Sequence, residues 1–215
     1  MRLILLLTVC ILFFYKMSFS QNADFRWIRS LNQIDETRGF SKVISHSTTE
    51  VAFVAPVALS VVALIQNDDE MLKDGIYILA SNIIITGFVT QSIKSIANRQ
   101  RPFAAYPDDI TQYDFTVGRG RSFPSGHTSL AFASATALSL KYPQWYIVVP
   151  SYFWACSVGY SRMNLGVHYP SDVAVGAVIG AGSAYLTYLF NEWFWEKAGN
   201  KRILSDKKAK AEVWY

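Results

Sequence analysis

Long oily stretches alternate with short polar breaks along this chain, and the stretches have the length scale of a bilayer. Val51 to Ile65 carries no charge, and Thr48 to Gln66 extends it toward the roughly 20 residues a helix needs to cross a hydrocarbon core. Gln66-Asn67-Asp68-Asp69-Glu70 then reads as a turn. Gly75 to Ala97 is a second apolar segment, in which Ser81, Asn82, Thr86, Thr90 and Gln91 are expected to face other helices. Thr128 to Leu140, Trp145 to Gly159 and Val173 to Phe190 follow. The last carries Gly176, Gly180 and Gly182, where close helix packing is expected. The pattern predicts an all-α fold: a helical bundle of five transmembrane helices over residues 48–192.

The two ends differ from the bundle. Met1-Arg2, an apolar run from Leu3 to Tyr15, and small residues at Ser18 and Ser20 predict a signal peptide over 1–20, with an uncleaved anchor as the alternative. Phe25, Ile28, Leu31 and Ile34 recur at near-helical spacing, giving an amphipathic N-terminal segment over 21–47. It would lie on the membrane interface or be an ordinary surface helix, with His46 in a loop after it. Trp193 and Trp195 suit an interfacial belt, and Lys197, Lys201, Arg202, Lys207, Lys208 and Lys210 make 193–215 a basic tail. The positive-inside rule puts that tail in the cytoplasm. Counting back through five crossings places Lys94, the 99–123 loop, His127, Arg162 and His168 on the outer face. The acidic Gln66 to Asp74 loop then falls inside, which the rule tolerates because carboxylates contribute little to it.

Composition narrows the classes. Hydrophobic residues are 51% of the 215 and charged residues only 17%, oily for a soluble domain. The net charge of +4 is modest and forms no basic stripe, which speaks against a nucleic-acid partner. Of the two cysteines, Cys10 would leave with a signal peptide, so Cys156 has no partner for an internal disulfide.

Three short blocks carry chemistry. In Ser161-Arg162-Met163-Asn164-Leu165-Gly166-Val167-His168-Tyr169-Pro170-Ser171-Asp172, a chain helical from His168 onward would put His168 and Asp172 on one face. The carboxylate could then fix the imidazole tautomer and leave the other nitrogen as a nucleophile. Such a pair is also common as plain structure. Arg162 offers a permanent cation with a planar fork of donors that suits a phosphoryl group. Pro124-Ser125-Gly126-His127 reads as a helix start, where unpaired N–H groups bind anions and Gly126 allows close approach. His127 at that mouth could protonate a leaving oxygen. Lys94, followed by Arg101-Pro102, adds two more cations.

Taken together, these blocks resemble the three-part signature of the type-2 phosphatidic acid phosphatase superfamily, which includes bacterial membrane lipid phosphatases, class A acid phosphatases and vanadium haloperoxidases. The match runs through Lys94…Arg101-Pro102, Pro124-Ser125-Gly126-His127 and Ser161-Arg162…His168…Asp172, within roughly Val51 to Phe190. The resemblance implies an all-helical bundle, a phosphohistidine intermediate, and neither metal nor cofactor. It implies His168 as nucleophile, Asp172 as its orienting partner, and His127 as the acid that later activates water. Lys94, Arg101, Arg162, Ser125 and the Gly126 N–H would hold the phosphoryl oxygens. Ser161 would either touch substrate or brace the Arg162 turn. Arg119 and Arg121 would be solvated loop charges or meet a second phosphate.

The expected function is a multi-pass membrane phosphatase acting on a lipid phosphate or isoprenoid diphosphate at the outer, periplasmic face of a bacterial inner membrane. Undecaprenyl diphosphate, phosphatidylglycerophosphate and phosphatidic acid are candidate substrates. The alternative is a soluble periplasmic acid phosphatase of broad specificity, which the shortness of Val51 to Ile65 would suit; a haloperoxidase is a more distant one.

Overall fold

Turn chemistry, more than oiliness, sets where the helices begin and end. The computed structural model describes residues 21–212, with side chains for all but 21, 22, 86 and 195–212. The expected signal peptide, Cys10 and the side chains of the basic tail lie outside the described residues. Helix α1 spans Gln21–Asn32, α2 Arg38–Gln66 and α3 Asp69–Ile84. A π-helical turn, Ile85–Val89, joins α3 to α4, Thr90–Ala97. A single turn, α5 (Pro102–Ala105), precedes α6 (Gly126–Lys141), α7 (Trp145–Asn164) and α8 (Pro170–Glu212). No strand occurs among the described residues.

The expected Gln66 to Glu70 turn forms. Asn67 takes a left-handed conformation (φ 52°) and closes α2, and the Asp68 carboxylate accepts the N–H groups of Glu70 and Met71 to open α3. The other end of α2 departs from expectation. The helix starts at Arg38, ten residues before Thr48, so His46 is an exposed helical residue and not a loop residue. Polar residues every turn on one face, Ser41, Ser45 and Thr48, are buried against the protein, and this inward face escapes a search for oiliness.

At 29 residues α2 is long enough to cross a membrane, as are 69–105 and 170–194 by length and mean hydropathy. Helices α6, with 16 residues, and α7 do not meet that measure. Their interior faces are rich in small and polar groups because α6 runs through the middle of the bundle. Ala131, Ala133, Ala135 and Ala137 are all buried there. Around the outside, Val54, Val57, Leu64, Ile83, Phe88, Val149, Phe153, Val178 and Leu186 are exposed, an apolar belt far larger than a water-facing surface tolerates.

Inside the second segment, Ser81, Asn82 and Thr90 are buried as expected, whereas Gln91 is exposed. Asn82 donates to the Ala52 carbonyl at 2.6 Å and accepts from the Ser134 hydroxyl at 3.1 Å, tying α3 to α2 and α6. Helices α6 and α8 approach each other closely. A Cβ on Gly180 would lie 2.1 Å from the Ser129 carbonyl oxygen, and one on Gly176 2.8 Å from that of Ser125. Gly182, expected to share this role, faces open space.

This difference is testable by thermal unfolding in detergent. Gly180→Ala forces two backbones apart and is expected to cost about 1–3 kcal/mol, as overpacking does. Gly182→Ala is expected to leave stability unchanged or raise it by about 0.5–1 kcal/mol, because alanine loses less entropy in a helix. Equal melting temperatures for the two variants would contradict the packing.

Candidate active site

One end of the bundle collects every charged block. Helix α4 runs toward that end and carries Lys94; α6 runs away from it, starting at Gly126; α7 arrives with Arg162; and α8 leaves with Asp172 in its first turn. The opposite end holds a separate ion cluster, in which Lys141 meets Asp74 at 3.3 Å and Glu192 at 3.0 Å. About 24 Å of α6 separates the two, at 1.5 Å per residue.

The His168 loop is built by its own backbone. Gly166, at φ +75°, reverses the chain where a side chain would strike the Thr111 carbonyl oxygen. The N–H groups of Val167 and His168 then both donate to the Arg162 carbonyl at 3.2 Å. The helix expected from His168 begins instead at Pro170, because proline suits the first turn and Asp172 folds back to accept the Tyr169 N–H at 2.9 Å. His168 is therefore in the loop, and Asp172 still reaches it: Oδ2 is 3.5 Å from Nδ1.

Proton positions on the ring follow from its neighbours. Arg101 Nη1 lies 3.0 Å from His168 Nε2, and a guanidinium can only donate. Nε2 is thus the acceptor, and the proton sits on Nδ1, facing Asp172 Oδ2 and the Ser122 hydroxyl, each at 3.5 Å. Ser122 donates to Asp172 in turn through a short hydrogen bond. His168 is 1% exposed, and burial, with Arg101, Arg162 and Lys94 nearby, holds the ring well below its usual range. The ring is therefore neutral, with a lone pair on Nε2.

Cations surround that lone pair. Arg162, also 1% exposed, donates to Asp114 Oδ2 at 2.8 Å and to the Ser45 hydroxyl. Burial pushes the Asp114 carboxyl up, but the Thr116 hydroxyl and Arg162 outweigh it and bring the carboxyl below its usual value. Arg101 spends Nη1 on the Val167 carbonyl and His168. The Nε groups of Arg101 and Arg162 are buried without a protein partner among the described residues, donors suited to an anion. Lys94 Nζ would lie 3.7 Å from a Cβ on Gly126, so its ammonium meets the first turn of α6. A cavity of about 360 Å³ adjoins this cluster, lined by Lys42, Ser45, His46, Tyr113, Asp114 and Thr116 among others.

The remaining candidates separate. Ser125 caps α6: its hydroxyl accepts the Thr128 N–H at 3.4 Å and pairs with the Thr128 hydroxyl at 2.8 Å. Its neighbour Gly126 opens the helix, and His127 sits half-buried in that first turn. Burial, then Arg162 and His168, hold the His127 ring down at about 3. Ser161 turns back on its own helix, donating to the Val158 carbonyl at 2.7 Å. Arg119 and Arg121 are exposed, the latter donating to Asn98 Oδ1 at 3.2 Å. Ser122, Asp114 and Arg99 were not among the sequence candidates. Arg99 stands inside the Lys94…Arg101 spacing and Ser122 just before Pro124, but residue type alone gave neither a role.

An all-helical bundle thus gathers a buried histidine, a carboxylate and three cations at one end. A model of the PAP2 superfamily matches residues 75–196, and the chain belongs to that family. It is 31% identical over 115 residues to the lipid A 1-phosphatase of Rhizobium etli, covering 51% of this chain and 47% of that protein. The chain spans about half the length of the curated relatives it matches. The crystal structure of Aquifex aeolicus LpxE superposes with a TM-score of 0.61 at 27% identity, covering 76% of this chain and 93% of that one. The fold is also that of the phosphatidylglycerolphosphate phosphatase of Bacillus subtilis, with a TM-score of 0.65, 21% identity and coverage of 86% and 95%.

The low position of His127 yields a prediction with a definite sign. A ring held near 3 is neutral at neutral pH, and the cations that hold it there would be offset by a phosphate dianion. With ring-labelled histidine, the His127 titration is expected to move upward when inorganic phosphate or vanadate is added. No movement on saturation would place His127 outside the anion site.

Proposed function

We propose that this protein is a membrane phosphatase that removes a terminal phosphate from a lipid phosphate or diphosphate through a phosphohistidine on His168. The observation that carries the reading is the neutral His168 Nε2, buried among Arg101, Arg162 and Lys94 at one polar end of an apolar bundle. Phosphoryl transfer asks mainly for positioning and charge stabilisation, and three cations plus the N-terminus of α6 supply both.

The steps balance as follows. The phosphoryl group enters between the cations, and Arg101 turns from Nε2 to a phosphoryl oxygen. The bound anion raises His127, which takes a proton from solvent; Nε2 then forms the N–P bond as the P–O bond to the lipid breaks, and His127 gives that proton to the leaving oxygen. The Nδ1–H, held by Ser122 and Asp172, stabilises the charge gained by the ring. Water then gives a proton to His127 as its oxygen attacks phosphorus, the P–N bond breaks, and neutral His168 returns. Lys94, Arg101 and Arg162 take the place that a metal holds in other phosphatases, so no metal is required.

The apolar belt and the three membrane-length helices support a multi-pass protein, with α6, enclosed by longer helices, and α7 completing five crossings. The positive-inside rule then puts the charged end on the outer, periplasmic side of a bacterial inner membrane. Names among the relatives support the substrate class: lipid A 1-phosphatase, lipid A 4'-phosphatase and undecaprenyl-diphosphatase. All three substrates present a phosphate on a lipid anchored in the membrane, and phosphatidic acid and phosphatidylglycerophosphate share that chemistry.

The test is phosphate release by membranes carrying wild type, His168→Ala or Asp172→Asn, with EDTA throughout, over a panel of lipid and soluble phosphates. Release from lipids that survives EDTA and disappears in His168→Ala is expected. Loss of one phosphate-holding cation is expected to cost roughly 10²–10³ in rate, as other oxyanion ligands do. Asp172→Asn should keep affinity and lose most turnover. Equal release from soluble esters would favour the acid phosphatase, and wild-type release in His168→Ala would remove the phosphohistidine.

A further inference from the structure

Asp24 is 4% exposed, on a helix that the sequence marks only for its apolar spacing. It is far from the phosphate ligands in the chain, yet it is bonded into the base of the site. Its Oδ2 accepts Arg99 Nη2 at 2.7 Å and the Ser171 hydroxyl through a short hydrogen bond, and its Oδ1 accepts the Ser171 N–H at 3.1 Å. The same guanidinium turns Nη1 to Asp172 Oδ1 and to Ser171 Oγ, both at 2.7 Å, and lies 3.9 Å over the Tyr169 ring. One planar cation thus bridges two buried carboxylates, one on α1 and one beside the nucleophile.

We propose that Asp24 is a positioning residue of the active site, acting through Arg99 to fix Asp172, so that helix α1 is a working part of the catalytic centre. This rests on the phosphatase reading above. Asp172 has several tasks: it accepts the Tyr169 N–H and the Ser122 hydroxyl on Oδ2 and faces His168 Nδ1 from the same oxygen. Its orientation is set only if Oδ1 is held as well, and Arg99 does that. Arg99 has a long stem, and a phosphate-binding cluster lies close by along the chain. Asp24 pins its second nitrogen and keeps the fork on Asp172 instead of the incoming anion.

Helix α1 stays docked by other means. Ile28 is fully buried one turn on, and Asn32 two turns on donates to the Thr111 and Asn164 carbonyls at 2.9 and 3.0 Å and accepts the Thr111 N–H at 2.8 Å. Asp24, Ile28 and Asn32 form one stripe at four-residue spacing, so neutralising the first leaves the other two in place.

The experiment uses the full chain in detergent micelles and compares wild type, Asp24→Asn, Arg99→Lys and the double variant. Lysine keeps the charge but has one nitrogen in place of the planar fork whose two nitrogens hold Asp24 and Asp172 separately. Against a short-chain phosphatidic acid, Asp24→Asn is expected to lower kcat roughly tenfold with KM within about twofold, the size of effect of removing an orienting partner. The double variant should fall no further than Arg99→Lys alone, since both act through one contact. The chain has three histidines, so ring-labelled nitrogen spectra resolve His168 as the signal lost in His168→Ala. Its Nδ1–H form should dominate in wild type and give way to a tautomer mixture in Asp24→Asn. Full kcat with an unchanged His168 signal in Asp24→Asn, a change in KM alone, or additive losses would overturn the proposal. If wild type releases no phosphate through His168, the phosphatase reading fails, and the tautomer spectra still judge the brace. Should Asp24→Asn lose vanadate binding through misfolding, Ser171→Ala decides, with an expected fall in kcat of about twofold or more and retained vanadate affinity.

Discussion

A single buried carboxylate, Asp172, holds the charged end of the bundle together. Its side chain starts α8 by closing on the Tyr169 N–H, faces His168, and receives Ser122 and Arg99. Its backbone carbonyl accepts the Ser125 N–H at 3.1 Å, so the start of α6 is tied to the start of α8. Two helix N-termini and the His168 loop are thus referred to one residue. A group in this position works only if it is fully satisfied, since a buried carboxylate with an open lone pair costs more than its contacts return.

The balance of charge around it explains the chemistry. Asp172 is matched by the partly exposed Arg99, and Asp114 by the buried Arg162. Such pairs contribute little net stability but are costly to break, and they hold long side chains in one place. Among the described residues Arg101 and Lys94 have no carboxylate of their own, and that residual positive charge is what an anion would offset. Burial comes first in keeping His168 neutral and His127 low, and the same excess of positive charge adds to it.

The bundle that carries this site is inverted relative to a water-soluble one. Small and polar residues such as Ser129, Ser134 and Asn82 lie inside, and many of the large aliphatic ones face out. Close approach of α6 and α8 at Gly176 and Gly180 depends on that inversion, because packing contacts replace the hydrophobic drive that lipid removes. The short α6 is covered by longer helices and can end in polar groups at both ends, Ser125 at one and Lys141 at the other.

Much of this was legible in the chain itself. The alternation of oily stretches and turns gave the helical class, Gln66 to Glu70 read as a turn and Pro124-Ser125-Gly126 as a helix start, and the Lys94, Arg101, His127, Arg162, His168 and Asp172 spacing pointed to phosphate. These features are local or are a pattern of residue types spaced along the chain, so residue order suffices to express them. What it could not express were the partners brought in from afar. Asp24 reaches Ser171 across 147 positions, Asp114 reaches Arg162 across 48, and Ser45 meets the same arginine across 117. The start of α2 at Arg38 was hidden for a related reason, since its inward face is polar and matched by the protein. Sequence alone determined which groups could do the chemistry; tertiary structure decided which buried charge answers which, because an ion pair depends on distance in space and not on separation along the chain.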